Sequence, residues 1–257
     1  MKALTTYITE KLKIKKPNNS YKYFPETKEE LKDILDKLIE ERGYNGDFND
    51  IDVSEITDME NLFDYNTRYF NGDISKWDVS NVTNMRKMFE ECDSFEGKGL
   101  NNWNVSKVKD MNNMFYRCKS FNQDISGWDV SNVETMEGMF WGCDSFNQDI
   151  SKWNVSNVTN MCSMFKWCDT FNQPLNDWSV SNVTDMSDMF NNCISFNQPL
   201  NKWNVSNVTN MNGMFWCSES FNQDISGWDV SKVTDKGKMF VHCPIERKYK
   251  YKPKFKK

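Results

Sequence analysis

The sequence predicts an α/β solenoid, a stack of short coils with one short strand and one short helix in each. Two observations lead there. A unit of 25 residues, cleanest as FNQDISKWNVSNVTNMCSMFKWCDT at residues 146–170, recurs with edits from about residue 46 to residue 243. Self-similarity at a fixed period of this length marks a stacked repeat. Nine positions of the unit also stay apolar in nearly every copy; here they are Phe146, Ile150, Trp153, Val155, Val158, Met161, Met164, Phe165 and Cys168. One such set per coil gives a thin, regular core, which suits a chain that is 38% hydrophobic with a mean hydropathy of -0.76.

The chain divides into a leader and cap over residues 1–45, the repeats over 46–243 and a basic tail over 244–257. In the leader, Leu4, Ile8 and Leu12 share one face of a short helix, and Lys11, Lys13, Lys15 and Lys16 follow as a basic stretch. After Pro25 comes a better helix. Thr27 with Glu30 forms a capping box, Leu31, Ile34, Leu35, Leu38 and Ile39 make an apolar stripe, and Gly43 supplies the stop. A first coil has an open apolar end, so this helix over 28–42 is expected to be its lid.

The first repeat is atypical, with Ile51 where later copies have Trp and Asn66 where they have Cys. Further copies start at Phe70, Phe95, Phe121, Phe146, Phe171, Phe196 and Phe221. The Phe95 copy has one extra residue, and the last ends with Lys236 in place of a Met and with Pro244. Within each unit, Met161, Met164, Phe165 and Cys168 have the spacing of one helix face. The residue before that first Met is Asp58, Asn84, Asp110, Thr135, Asn160, Asp185, Asn210 or Asp235, a series of N-cap formers. A two-turn helix beginning at Met161 and its equivalents follows. Trp153 and Val155 alternate with polar residues, as in a half-buried strand. Strands repeating at about 4.8 Å opposite helices that prefer roughly 8–10 Å would curve the stack, with the sheet concave.

The unit FNQ-[DP]-[IL]-x-x-W-[DN]-V-S-[NK]-V-T-[ND]-M-x-x-MF-x-x-C resembles the repeat of BspA-like surface proteins, known from mycoplasma lipoproteins, gut Bacteroidales and their phages. That resemblance implies a leucine-rich-repeat-like, right-handed stack of about 7–8 coils, and a role in adhesion or protein binding. It brings no catalytic residues.

The residues themselves argue against an enzyme, a cofactor or a metal centre. His242 is the one histidine, with no nucleophile or carboxylate constellation around it. Cys92, Cys118, Cys143, Cys168, Cys193 and Cys243 recur at one position and read as a buried column, while Cys217 sits one residue off register as the most exposed thiol. The repeated Trp77, Trp103, Trp128, Trp153, Trp178, Trp203 and Trp228 read as core. Asn-x-Ser/Thr triplets at Asn81, Asn154, Asn157, Asn182 and Asn207 are by-products of the repeat.

Two sets of residues remain as candidate sites. Tyr116, Trp141, Trp167 and Trp216 follow the Met-Phe pair at positions where other copies are polar, and the first three lie in consecutive coils. Clustered aromatics that packing does not demand mark contact surfaces. The tail carries Arg247, Lys248, Lys250, Lys252 and Lys254 interleaved with Tyr249, Tyr251 and Phe255, which suits an anionic surface or nucleic acid, or equally an edge-covering role. The expected function is a non-enzymatic protein-binding or scaffold module, favoured as a monomer. The alternatives are a structural component of a phage or virus particle and nucleic-acid binding through the tail. No apolar run reaches the roughly 20 residues of a membrane span. With no secretory pattern at the N-terminus, a cytoplasmic or virion-associated location is expected, and a cell-surface one only as the family resemblance implies.

Overall fold

The computed structural model describes residues 20–63 and 67–255. The leader helix, the lysines at 11–16 and Asn66 lie outside the described residues. Helix α1 runs Lys28–Arg42, with Thr27 Oγ1 accepting from the Glu30 amide and Gly43, at φ 74°, donating its N–H to Ile39 O. Glu30 closes the other half of the cap on the Glu26 amide at 2.8 Å. Leu31, Leu35, Leu38 and Ile39 are buried against the core of the first coil. Arg42 fastens the helix end to Asp50 through two bonds of 2.7 and 3.0 Å. Ahead of the helix, Tyr23 pairs in parallel with Ile51, so the chain lays an edge on the first coil before the helix covers it.

The repeats are built from turns, which corrects the expectation of one helix and one strand per coil. From residue 46 to 243 the described residues hold no α-helix, and the Trp-x-Val stretch is not a strand. Where a helix starting at Met161 would show bonds from each amide to the fourth carbonyl before it, two other sets alternate. Met164, Lys166 and Cys168 donate to the third residue back, Met161, Ser163 and Phe165, which closes successive β-turns. Met161, Ser163, Phe165 and Trp167 donate outward to Asp185, Ser187, Met189 and Asn191 of the next coil, at 2.8–3.0 Å. Ser163 and Trp167 sit at φ 56° and 59°, the left-handed corners that such turns need. The inter-coil ladder thus runs along the segment expected to be helical. Parallel bridges link Asp58, Asn84, Asp110, Thr135, Asn160, Asp185, Asn210 and Asp235 in sequence.

The N-cap series has a real counterpart in this arrangement. Asn160 Oδ1 accepts from the Cys162 amide at 2.9 Å and Asp185 Oδ1 from the Ser187 amide at 2.8 Å. A side-chain oxygen taking the amide two residues on caps a helix or closes an Asx turn with the same local bond. Here it closes a turn. With no row of helices over the described repeats, helix spacing gives the stack no reason to curve.

Elsewhere on each coil, side chains continue the contact between neighbours. Trp153 Nε1 donates to Ile125 O, Trp178 to Ile150 O and Trp203 to Leu175 O, each one coil back. Cys168 Sγ reaches Phe140 O at 2.8 Å, and Asn157 Nδ2 reaches Ser131 O at 2.6 Å. Around Pro174 and Pro199, where a backbone donor is missing, Asn147 and Asn172 take the amides of Asn172 and Asn197 through Oδ1. Between these polar seams lie stacked columns of rings, with Phe140–Phe165 centroids 5.8 Å apart and Trp128–Trp153 6.4 Å apart. The repeated tryptophans and the cysteine column are buried. In the longer copy, Gly97 and Gly99 at φ 78° and 83° lead into a short 3₁₀ turn, Leu100–Asn102, which absorbs the extra residue.

The last coil is covered by the tail. Pro244–Arg247 and Tyr249–Tyr251 form 3₁₀ turns, Ile245 is buried, and Tyr251 O accepts from the Ile225 amide at 3.0 Å. Phe255 packs against the core, with Lys236 Nζ 4.5 Å from its ring centre. No helix among the described residues is long and apolar enough to cross a membrane.

Candidate protein-binding surface

Three of the four candidate aromatics come together. Tyr116 and Trp141 meet edge to face at 5.0 Å between centroids, and Trp141 meets Trp167 edge to face at 6.4 Å. This geometry directs the positive edge of one ring at the negative face of the next. Tyr116 and Trp141 are half-buried, while Trp167 is 43% exposed. Trp216 does not join them. Asn191 and Asn192 occupy the coil between, and Trp216 is covered by Lys238 at 4.6 Å.

The turn geometry places these rings. Two positions per coil are left-handed: the one before the second Met, and the one two after Phe. The second is filled by Gly142, Trp167 and Asn192 in successive coils, all at positive φ. Gly142 and Asn192 are residue types that accept this conformation; for a bulky side chain it is an outlier. Gly138 fills the first position beside the cluster, and Asn113 Oδ1 occupies the space a Cβ would need there. Gly142 follows Trp141 directly, and Gly138 stands three residues before it.

Cations complete the patch. Lys166 Nζ lies 4.7 Å from the Trp141 ring centre and 2.8 Å from Asp188 Oδ2, and Arg117 lies 5.3 Å over Tyr116 while pairing with Glu91. The Trp141 indole N–H is enclosed without an acceptor among the described residues, a local cost of roughly 1–3 kcal/mol. Lys166, Arg117, Gly138 and Gly142 were missed as parts of this surface. Gly, Asn or Asp at Asn61, Asn113, Gly138, Asp188 and Gly213 is the sequence signal for the first corner, while the second is filled mostly by other residue types.

The tail cations are unequally free. Lys248 Nζ bonds Asn222 Oδ1 at 2.7 Å and Lys252 Nζ bonds Glu246 O at 2.6 Å. Arg247, Lys250 and Lys254 are exposed, beside Tyr249 at 83% exposure. His242 is exposed at a left-handed corner of the last coil. Among the described residues no three His, Cys, Asp or Glu side chains group so as to hold a metal ion. Burial pushes the thiols of Cys118, Cys143, Cys168 and Cys193 well above their ordinary pKa, and Cys243 up to about 11. Cys162 and Cys217 are half-buried.

No curated protein and no solved structure matches the chain. A family model does, once over residues 32–153 and again over 142–250, so that both halves of the repeat array are covered. The chain belongs to the family described as mycoplasma protein of unknown function, DUF285.

Proposed function

We propose that the chain is a non-enzymatic binding module, a solenoid of turn-built coils whose contact surface is the Tyr116, Trp141 and Trp167 cluster. One observation carries this reading. Trp167 places a large ring, 43% exposed, in a left-handed backbone conformation. The corner recurs in other coils, where it holds Glu91, Arg117, Cys217 and His242, so the repeat does not call for an aromatic there, and an exposed ring that joins two others marks a contact surface. The partner is another protein, because interleaved aromatics and cations are the side chains that anchor protein interfaces. The likeness to BspA-like repeats fits this class of role.

The test compares the wild-type chain with Tyr116→Ser/Trp141→Ser/Trp167→Ser as baits in the native source. A partner retained by the wild type and lost by a variant with an unchanged melting curve supports the reading. A variant that folds and retains every partner at full strength removes it. A structural role in a phage or virus particle would appear instead as a bound coat or tail component that is indifferent to the triple change. For the tail, deletion would uncover the last coil, so the cleaner probe is Arg247→Ala/Lys250→Ala/Lys254→Ala. Nucleic-acid retention that falls with this variant across a salt series would favour the third reading.

A further inference from the structure

The four aromatics of this face differ in what covers them. Arg117 lies over Tyr116, Lys166 over Trp141 and Lys238 over Trp216, so three rings carry a cation of the chain itself. Trp167 carries none among the described residues, and the next coil sets Asn191 and Asn192 in its columns rather than a Lys or Arg. It is also the most exposed of the four, at 43%. A ring face attracts a cation through its negative quadrupole, and indole does so most strongly.

Carboxylates stand next to this ring. Asp169 follows Trp167 by two residues, across the buried Cys168, and Asp144 holds the same place one coil earlier, two residues after Gly142. Both are exposed, and neither carboxylate has an ion pair or hydrogen bond among the described residues; Thr170 Oγ1 donates to the Asp144 backbone carbonyl instead. The cations nearby are engaged by other acids: Arg117 by Glu91 at 3.2 Å, Lys166 by Asp188 at 2.8 Å and Lys119 by Asp93 at 3.7 Å. Partial burial holds Asp144 and Asp169 above the ordinary carboxylate value, and the charge of Asp169 adds to the shift at Asp144. A cation brought to the pair would relieve both effects.

The chain contains its own version of such a contact. Lys166 places its ammonium 4.7 Å from the Trp141 ring centre and 2.8 Å from Asp188, a cation held between a ring and an acid. Trp167 with Asp144 and Asp169 offers a ring and acids with no cation of the chain between them. We propose that the partner brings a basic segment to this face, a Lys or Arg side chain lying over the Trp167 ring with its charge answered by Asp144 and Asp169. This rests on the aromatic cluster being the contact surface and names what that surface recognises. Arg suits it best, since a guanidinium stacks flat on a ring while its N–H groups reach a carboxylate.

Fluorescence anisotropy with a labelled dodecapeptide of alternating Arg and Ser tests it, with the same peptide carrying Glu for Arg as the contrast. At about 0.1 M salt the screening length is about 10 Å, so distant charges of the chain contribute little. The wild-type chain should bind the Arg peptide and not the Glu peptide. Asp144→Asn/Asp169→Asn and, separately, Trp167→Asn should each weaken that binding roughly tenfold without lowering the melting temperature. Asp129→Asn/Asp229→Asn removes the same charge where other coils have Asn154 and Asn204, and should bind like the wild type. An Arg peptide that does not bind overturns the proposal. So do equal losses from the two Asp pairs, which would leave net charge as the only cause. Calcium that binds through Asp144 and Asp169 and displaces the peptide overturns it in favour of a metal ion. A native partner lost by the triple Ser variant yet kept at full strength by Asp144→Asn/Asp169→Asn also overturns it, and leaves the contact surface standing.

Discussion

At the scale of single residues, the two kinds of left-handed corner separate what the fold needs from what it tolerates. Gly142 and Asn192 meet the demand of their corner, and Trp167 meets it at a cost. Replacing Trp167 with Asn should therefore raise stability by about 1 kcal/mol, read as a higher urea midpoint with an unchanged slope, while partner capture weakens. A Trp167→Asn variant that is less stable than the wild type would mean that the indole is packed as core. The thiols separate in a similar way. Cys92, Cys118, Cys143, Cys168, Cys193 and Cys243 are buried, and Ser218 takes the place of a column member because Cys217 is shifted by one. A thiol reacts as its thiolate, which burial disfavours. In native protein, thiol labelling should modify Cys217 first and Cys162 next, and reach the six buried cysteines only in denaturant. Peptide mapping of the labelled sites checks that order.

The elements themselves show how much of this fold is legible in the sequence. The period, the nine buried positions, the core tryptophans and helix α1 with its cap all follow from apolar spacing and cap chemistry, and these signals are the same whatever conformation fills the coil. The helix within each unit does not follow. Met161, Met164, Phe165 and Cys168 face the core because successive turns also return every third or fourth residue to one side, and Asn160 bonds its turn as it would bond a helix. The corner residues Gly138, Asn113, Asp188 and Gly213, all at positive φ, carried a partial signal, since Lys87, Ser163 and Lys238 fill the same corner in other coils. The aromatic patch was legible as a sequence oddity, but its cations were not, since the coils that bring Lys166 over Trp141 had to be set in register first. The Asx turns have a consequence in acid. Hydrogen bonds from Ser126, Ser131 and Ser151 hold Asp124, Asp129 and Asp149 below the usual carboxylate value. Burial would push Asp73 up, yet the Asn49 side chain and the Ser75 amide bring it down to about 2. Groups that titrate lower in the folded chain stabilise it fully above the unfolded value of about 3.9, and that contribution is lost as pH falls through the folded values. Asp144 and Asp169 oppose it, because burial holds both above the usual value and their penalty is relieved in acid. Asp124→Asn/Asp129→Asn/Asp149→Asn keeps the acceptor oxygens, as Asn154 does for Ser156. Thermal melts from pH 7 down to pH 2 should show a shallower loss of stability for this variant than for the wild type. Parallel curves would mean that these turns carry no proton linkage.

Across the whole molecule, neighbouring coils interact through a ladder whose amides and carbonyls alternate along the chain, so what passes between coils is phase as well as contact. Removing residues 171–195 joins Thr170 to Phe196 and recreates the junction that Thr170 makes with Phe171. Coil 146–170 then donates from Met161, Ser163 and Phe165 to Asn210, Asn212 and Met214, the carbonyls that Met186, Asp188 and Phe190 now use. Every buried column stays aligned and both end caps are untouched, while beside the cluster Lys166 loses Asp188 and the coil of Trp216 becomes the neighbour of Trp167. In an array stabilised by each coil and its nearest neighbours, losing one coil lowers total stability without changing the kind of transition. Removing residues 171–194 instead leaves one extra residue ahead of Phe196, which puts amides opposite amides and sends Trp203, Val205 and Val208 off their columns. The 25-residue deletion should therefore give a soluble chain with one cooperative melt somewhat below that of the wild type. The 24-residue deletion should unfold far earlier or aggregate, although it removes less of the protein. Should the two deletions melt alike, the coils would not be held in phase by this ladder.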